Sequence, residues 1–154
     1  YIPMARGWVY LVAVLDWYSR RTLAHRVSIT MEADFCVEAL NEAVARYGAP
    51  EIVNTDQGSQ FTATDFTEVV LKAGCKLSMD GRGAWRDNVF VERLYRTINY
   101  ERVYLQAYEA VSVARSDLDT YIDWYNRERA HSRIEDRTPE QAYWALLPEL
   151  AAAA

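Results

Sequence analysis

The chain has 154 residues, of which 51% are apolar and 25% charged, with a net charge of −5. Those values fit one globular domain with its own core. They exclude a membrane-spanning helix, because the longest apolar run, ending at Leu15, is far short of the ~20 residues a span needs, and they argue against a stand-alone, non-specific nucleic-acid binder. No basic-then-apolar leader opens the chain. Cys36 and Cys75 show no metal-ligand spacing and are expected to be reduced, buried thiols.

In chain order, Tyr1-Ile2-Pro3 reads as the tail of a strand. Trp8 to Asp16 is apolar without alternation, which predicts a central strand covered on both faces. Trp17-Tyr18-Ser19-Arg20 forms the following turn, and Thr22 to Ile29 alternates as a third, partly exposed strand. Thr30 is the expected N-cap of the first helix. Its stripe is Cys36, Leu40, Ala43, Val44 and Tyr47, and it ends at Gly48 and Pro50. Ile52 to Asn54 is a short strand with Asp56 at its end. A helix opens at Thr62 or Thr64 and stops at Gly74, and Lys76 to Met79 is the last strand. Asp80 to Arg86, with Gly81 and Gly83, is expected to be a mobile loop.

Asp87 or Asn88 is placed to cap the next helix, with Val91, Leu94, Tyr95, Ile98 and Leu105 as its inner stripe. Asn88, Glu92, Arg96 and Asn99 share another face at spacings of four, four and three. A further helix spans about Ala110 to Asn126, with Leu118, Tyr121, Ile122 and Tyr125 inward. Thr138-Pro139-Glu140-Gln141 fits a capping box with proline at the first helical position. The expected organisation is one domain over 1–154, whose part from 108 to 150 is helical.

Asp56 and Glu92 are the candidate catalytic pair. Thirty-five residues lie between them, yet a carboxylate at a strand end and another on a helix can converge on one point. Oxygen-only ligands suit magnesium or manganese. The ordinary readings are a turn-forming aspartate ahead of Gly58 and a solvated glutamate pairing with Arg96 at i+4. Residues 82–137 balance acid against base, and every base there is arginine, the better phosphate fork. His25 and His131 lack partners at ligand spacing, and His131 is expected to structure the turn before Thr138. Trp85 and Arg86 are expected either to pack against the Glu92 helix or to stack on a splayed DNA base.

Asp56-Gln57-Gly58-Ser59-Gln60-Phe61 and Trp85-Arg86-Asp87-Asn88-Val89-Phe90-Val91-Glu92-Arg93-Leu94 resemble the DDE catalytic core of insertion-sequence transposases and, more distantly, retroviral integrases. The likeness continues through Tyr121-Ile122-Asp123-Trp124-Tyr125-Asn126 and Arg129-Ala130-His131-Ser132 to Thr138-Pro139. It implies an α/β, ribonuclease H-like fold, with a mixed five-stranded sheet flanked by helices and a helical C-terminal extension. It implies metal-dependent cleavage and strand transfer of double-stranded DNA ends, with two Mg2+ or Mn2+ ions held by Asp56 and Glu92. DNA contacts fall to Asn88, Arg93, Arg96 and Asn99, although the family usually carries lysine at position 99. A homo-oligomer on DNA is expected, in a bacterial, cytoplasmic and nucleoid-associated protein. The family's first acidic residue precedes the position of Tyr1, so the chain is expected to be an N-terminally truncated core. The alternatives are an inactive remnant serving DNA binding or multimerisation, and a nuclease of the same fold.

Overall fold

A computed structural model describes residues 1–79 and 88–153. The expected loop from Asp80 to Arg86, the cap at Asp87 and the roles of Trp85 and Arg86 lie outside the described residues. Among the described residues, five strands and six α-helices follow in the order β1 (Ile2–Pro3), β2 (Trp8–Leu15), β3 (Thr22–Ser28), α1 (Asp34–Tyr47), β4 (Ile52–Thr55), α2 (Ser59–Thr62), α3 (Thr64–Lys72), β5 (Lys76–Met79), α4 (Val89–Glu101), α5 (Val111–Arg127) and α6 (Pro139–Ala153).

The strands are mixed in direction. β1, β2 and β3 form an antiparallel set with β2 in the middle, and β4 pairs parallel to β5. The single five-stranded sheet expected from the resemblance is hydrogen-bonded as three strands plus two. β1 contributes two residues, one a proline without an N–H, which is too little backbone for a second ladder.

β2 explains how the core is divided. Val9, with Leu11, Ala13 and Leu15, faces a cluster containing Leu94, Ile98, Leu118 and Ile122 from α4 and α5. Val12, with Tyr10 and Val14, faces Phe35, Cys36, Ala39 and Leu40 of α1 and Phe66 and Val70 of α3. Side chains alternate across a strand, so an unbroken apolar run feeds both clusters, as its lack of alternation predicts. Both cysteines are buried and free.

Helix ends bear out some expectations and correct others. Gly48 (φ 85°) and Gly74 (φ 81°) stop α1 and α3 in the left-handed region. The Thr138–Gln141 capping box is reciprocal: Thr138 N–H donates to Gln141 Oε1 at 3.0 Å, and Gln141 N–H donates to Thr138 Oγ1 at 3.3 Å. Thr30 does not cap α1. Its own N–H is held by Ser28 Oγ, and the helix begins four residues later. Leu105 is not on the inner stripe of α4. The helix ends at Glu101, Arg102 redirects the chain, and in the 3-10 turn that follows Val103 is buried while Leu105 is exposed.

Polar contacts fasten α5 to its surroundings. Asn126 mimics a strand neighbour, accepting from Thr22 N–H and donating to Thr22 O, each at 2.9 Å. Arg102 Nε donates to both Asp117 oxygens, at 2.9 and 2.8 Å, and the Tyr108 hydroxyl donates to the same carboxylate. Tyr121 and Arg129 both donate to Glu101, at 2.6 and 2.7 Å. His131 is structural in its surroundings: its N–H donates to Arg137 O at 3.0 Å, and its ring meets Tyr125 edge-on.

Candidate catalytic site at the junction of β4 and α4

β4 delivers Asp56 one residue beyond its last paired position, where the side chain is exposed. Asp56 Oδ1 accepts from Gly58 N–H at 2.8 Å, so the turn-forming role of this aspartate is real. It leaves the carboxylate without a cationic side-chain partner among the described residues. Gly58 sits close against two flexible side-chain ends. A Cβ there would lie 2.9 Å from Asp56 Oδ1 and 2.8 Å from Gln60 Nε2.

Glu92 projects into solvent from the first turn of α4, where the helix dipole favours a negative charge. No ion pair to Arg96 forms. Arg96 lies over the Tyr100 ring instead, 5.7 Å from its centroid.

Two observations tie the segments carrying these carboxylates together. Asn54, two residues before Asp56, donates from Nδ2 to Asn88 Oδ1 at 3.5 Å, and Asn88 is the N-cap residue one turn before Glu92. Asp56 also acts on groups across the junction. Burial first, and the Asp56 charge after it, push the Cys36 thiol of α1 up to about 12. Burial chiefly, with Asp56 among the smaller causes, pushes the Tyr95 phenol of α4 up to about 12. Tyr95 is in turn anchored to the central strand, its oxygen accepting from Ala13 N–H at 3.0 Å.

The donor chemistry fits a hard cation. Two exposed carboxylates flank the junction, and Asn54 Oδ1 is a buried oxygen with no hydrogen-bond partner. All are oxygen ligands, as magnesium and manganese prefer. Among the described residues no group of three His, Cys, Asp or Glu is placed to hold a metal.

The four residues expected to touch DNA fall into two kinds. Arg93 and Arg96 are exposed. Asn88 is half-buried and engaged with Asn54, and Asn99 is half-buried with its Oδ1 enclosed and unpartnered. Helical spacing put Asn88, Arg96 and Asn99 on one face with Glu92, but that face turns from solvent toward the protein across its width. Asn54 and Tyr95 were missed by sequence reading. The signal for Asn54 was its i−2 relation to Asp56 on a strand; nothing local distinguishes Tyr95 from the rest of the inner stripe.

Residues 1–84 match the family described as integrase core domain, and a second integrase core domain family matches residues 73–139. The chain is 31% identical over 144 residues to the transposase InsF for insertion sequence IS3A of Escherichia coli (strain K12), covering 92% of this chain and 50% of that protein. It is 29% identical over 143 residues to the transposase for insertion sequence element IS904 of Lactococcus lactis subsp. lactis (strain IL1403), covering 91% of this chain and 56% of the relative. The chain thus spans about half the length of the curated relatives it matches.

Among solved structures, the fold matches a chain of the simian T-cell lymphotropic virus intasome in complex with PP2A regulatory subunit B56 gamma. The TM-score is 0.70 at 16% identity, over 86% of this chain and 47% of the other. It also matches the HTLV-2 integrase catalytic core domain in complex with magnesium (dimeric form), with a TM-score of 0.53 at 18% identity, over 83% and 79%. These likenesses establish the ribonuclease H-like architecture expected from the motifs. With a family match over more than half of its length, the chain belongs to the integrase core domain family.

Proposed function

We propose that this chain is the catalytic core of a DNA transposase, a polynucleotidyl transferase that cleaves DNA ends and joins them to another DNA site. Asp56 and Glu92 are its catalytic, metal-holding pair. The observation that carries the reading is the junction itself: the Asn54–Asn88 contact joins the strand end bearing Asp56 to the helix start bearing Glu92. The transposase relatives and the integrase core domain match support the same activity.

Two bound divalent cations, Mg2+ or Mn2+, would supply Lewis-acid activation and neutralise charge on the phosphodiester. The residues of the chain do the rest. Asp56 and Glu92 hold the site, Gly58 lets the strand-end turn close on the Asp56 carboxylate, and Tyr95 fixes the height of α4 against β2. Arg93 and Arg96 neutralise flanking phosphates along the exposed face of α4. Asn88 positions the helix start, and Asn99 lines the face farther on. No side chain need act as general base. The partner is double-stranded DNA, held by an oligomer of the protein. Among the described residues no helix is long and apolar enough to cross a membrane, and the proposed place of action is the bacterial cytoplasm, at the nucleoid.

Manganese titrated into the chain should broaden the amide resonances of residues 54–58 and 88–92 first. Asp56→Asn or Glu92→Gln should weaken that binding about tenfold or more. In a protein carrying this core, either substitution should abolish joining of a labelled duplex end while leaving DNA binding largely intact. Broadening centred elsewhere, or near-normal joining by either variant, would remove the assignment.

A further inference from the structure

Against the first turn of α4, which also carries Glu92, lies a cleft of about 390 Å³ that the metal chemistry does not use. Its walls come from the β2–β3 turn, the first turn of α4, and the segment between α5 and α6: Trp17, Tyr18, Arg20, Phe90, Arg133 and Arg137. The turn is tightly held. Asp16 N–H donates to Arg21 O and Arg20 N–H to Asp16 O, both at 2.9 Å, while the Asp16 carboxylate accepts from Ser19 N–H at 2.8 Å and Ser19 Oγ at 2.6 Å. Arg20 takes a φ of 65°, a left-handed conformation uncommon for a side chain of this size.

This rigid turn presents two large rings to solvent, with Trp17 49% and Tyr18 50% exposed. Trp17 meets Phe90 edge-on at 6.0 Å, and the Arg20 guanidinium lies 3.3 Å over the Phe90 ring. An exposed indole in a fixed turn is a ready surface for a flat apolar ligand.

Three arginines and one carboxylate, Glu135, line the cleft, so its charge is unbalanced toward positive. Arg20 and Arg133 form no ion pair among the described residues, because the Asp16 carboxylate is taken by Ser19 and Glu135 pairs with Arg137. On a helical projection the exposed arc of α4 runs from Glu92 through Arg96 and Arg93 to Phe90. That arc joins Glu92 to the cleft wall at Phe90.

We propose that this cleft holds an unpaired nucleotide of a DNA strand, its base stacked on Trp17 and its phosphate held by Arg20 and Arg133. The inference deepens the proposed function and rests on it for the presence of DNA. Duplex bases are already stacked on each other, so only a nucleotide freed from pairing can use the Trp17 face; ring stacking needs no particular base.

The test uses a hairpin DNA ending in two unpaired nucleotides, with 2-aminopurine at the first, against a blunt hairpin of the same duplex sequence. Binding is measured without divalent metal. The wild-type chain should bind the tailed hairpin more tightly and quench the 2-aminopurine. Trp17→Ala should lose the quenching and about tenfold in affinity for the tailed hairpin only, while Trp17→Phe should keep most of both. Arg133→Ala should weaken binding and lessen its dependence on salt. Equal affinity for the two hairpins, unchanged quenching in Trp17→Ala, or no binding of the tailed hairpin would overturn the proposal. Because the hairpin assay contains no metal, intact quenching together with a manganese titration that fails to broaden residues 54–58 and 88–92 would defeat the catalytic assignment alone.

Discussion

The two sides of β2 are built differently. On one side α1 and α3 bury Phe35, Leu40, Phe66 and Val70 in a cluster that includes Cys36 and Cys75 but no charged group. On the other, α4 and α5 enclose Leu94, Ile98, Leu118 and Ile122 but add two carboxylate networks, one at Asp117 and one at Glu101. On the first side the added polar ties are the Arg26 ion pairs from β3 to Glu38 and Glu42 of α1, which lie nearer the surface. The helix that carries Glu92 is fixed by directional bonds as well, which resist sliding and rotation in a way that non-directional burial does not. Asp56 lies at the seam, acting on Cys36 from one cluster and on Tyr95 beside the other.

The largest expected effects test whether both clusters are needed. Leu118→Ala and Phe66→Ala, each removing a buried side chain, should cost about 3 kcal/mol or more in urea unfolding. A cost below about 1 kcal/mol on either side would break the picture of two essential clusters. Asp117→Ala should cost about 2 kcal/mol, because Arg102 and Tyr108 lose a shared charged acceptor. This loss has a pH signature. Its hydrogen bond from Arg102, first, holds Asp117 below its ordinary 3.8, and Arg129, first, holds Glu101 below its ordinary 4.5. A depressed carboxyl stabilises the fold fully above its ordinary value and loses that contribution as pH falls through the folded-state value. Acid unfolding should therefore steepen below about pH 4, and the step should shrink in Asp117→Ala but not in Phe66→Ala. The smallest expected effect is that of Thr138→Ala, about 1 kcal/mol, from loss of one arm of the capping box.

Much of this arrangement was legible in the sequence, and the exceptions have physical causes. The inner stripe of α5 follows the 3.6-residue period, and Leu118, Tyr121, Ile122 and Tyr125 are all buried as that period requires. The capping box could be read because both partners lie within four residues. Leu105 was misplaced because periodicity is blind to a change of direction at Arg102. Thr30 lost its role to a competing local bond from Ser28. Strand pairing was beyond reach, since it depends on which backbones meet. The candidate site was half legible: Asp56 and Glu92 stand in recognisable strings, whereas Asn54 and Tyr95 join it only through contacts with residues 34 and 82 positions away.

The bond from Ala13 to Tyr95 sets a limit on motion. Were α4 to shift along the sheet by one residue, an amide in the middle strand would be stranded without an acceptor, at a penalty of about 1–3 kcal/mol. The helix is thus latched at a single stop, and a DNA strand pulling on its arginines would strain a bolted frame rather than drag the glutamate out of place.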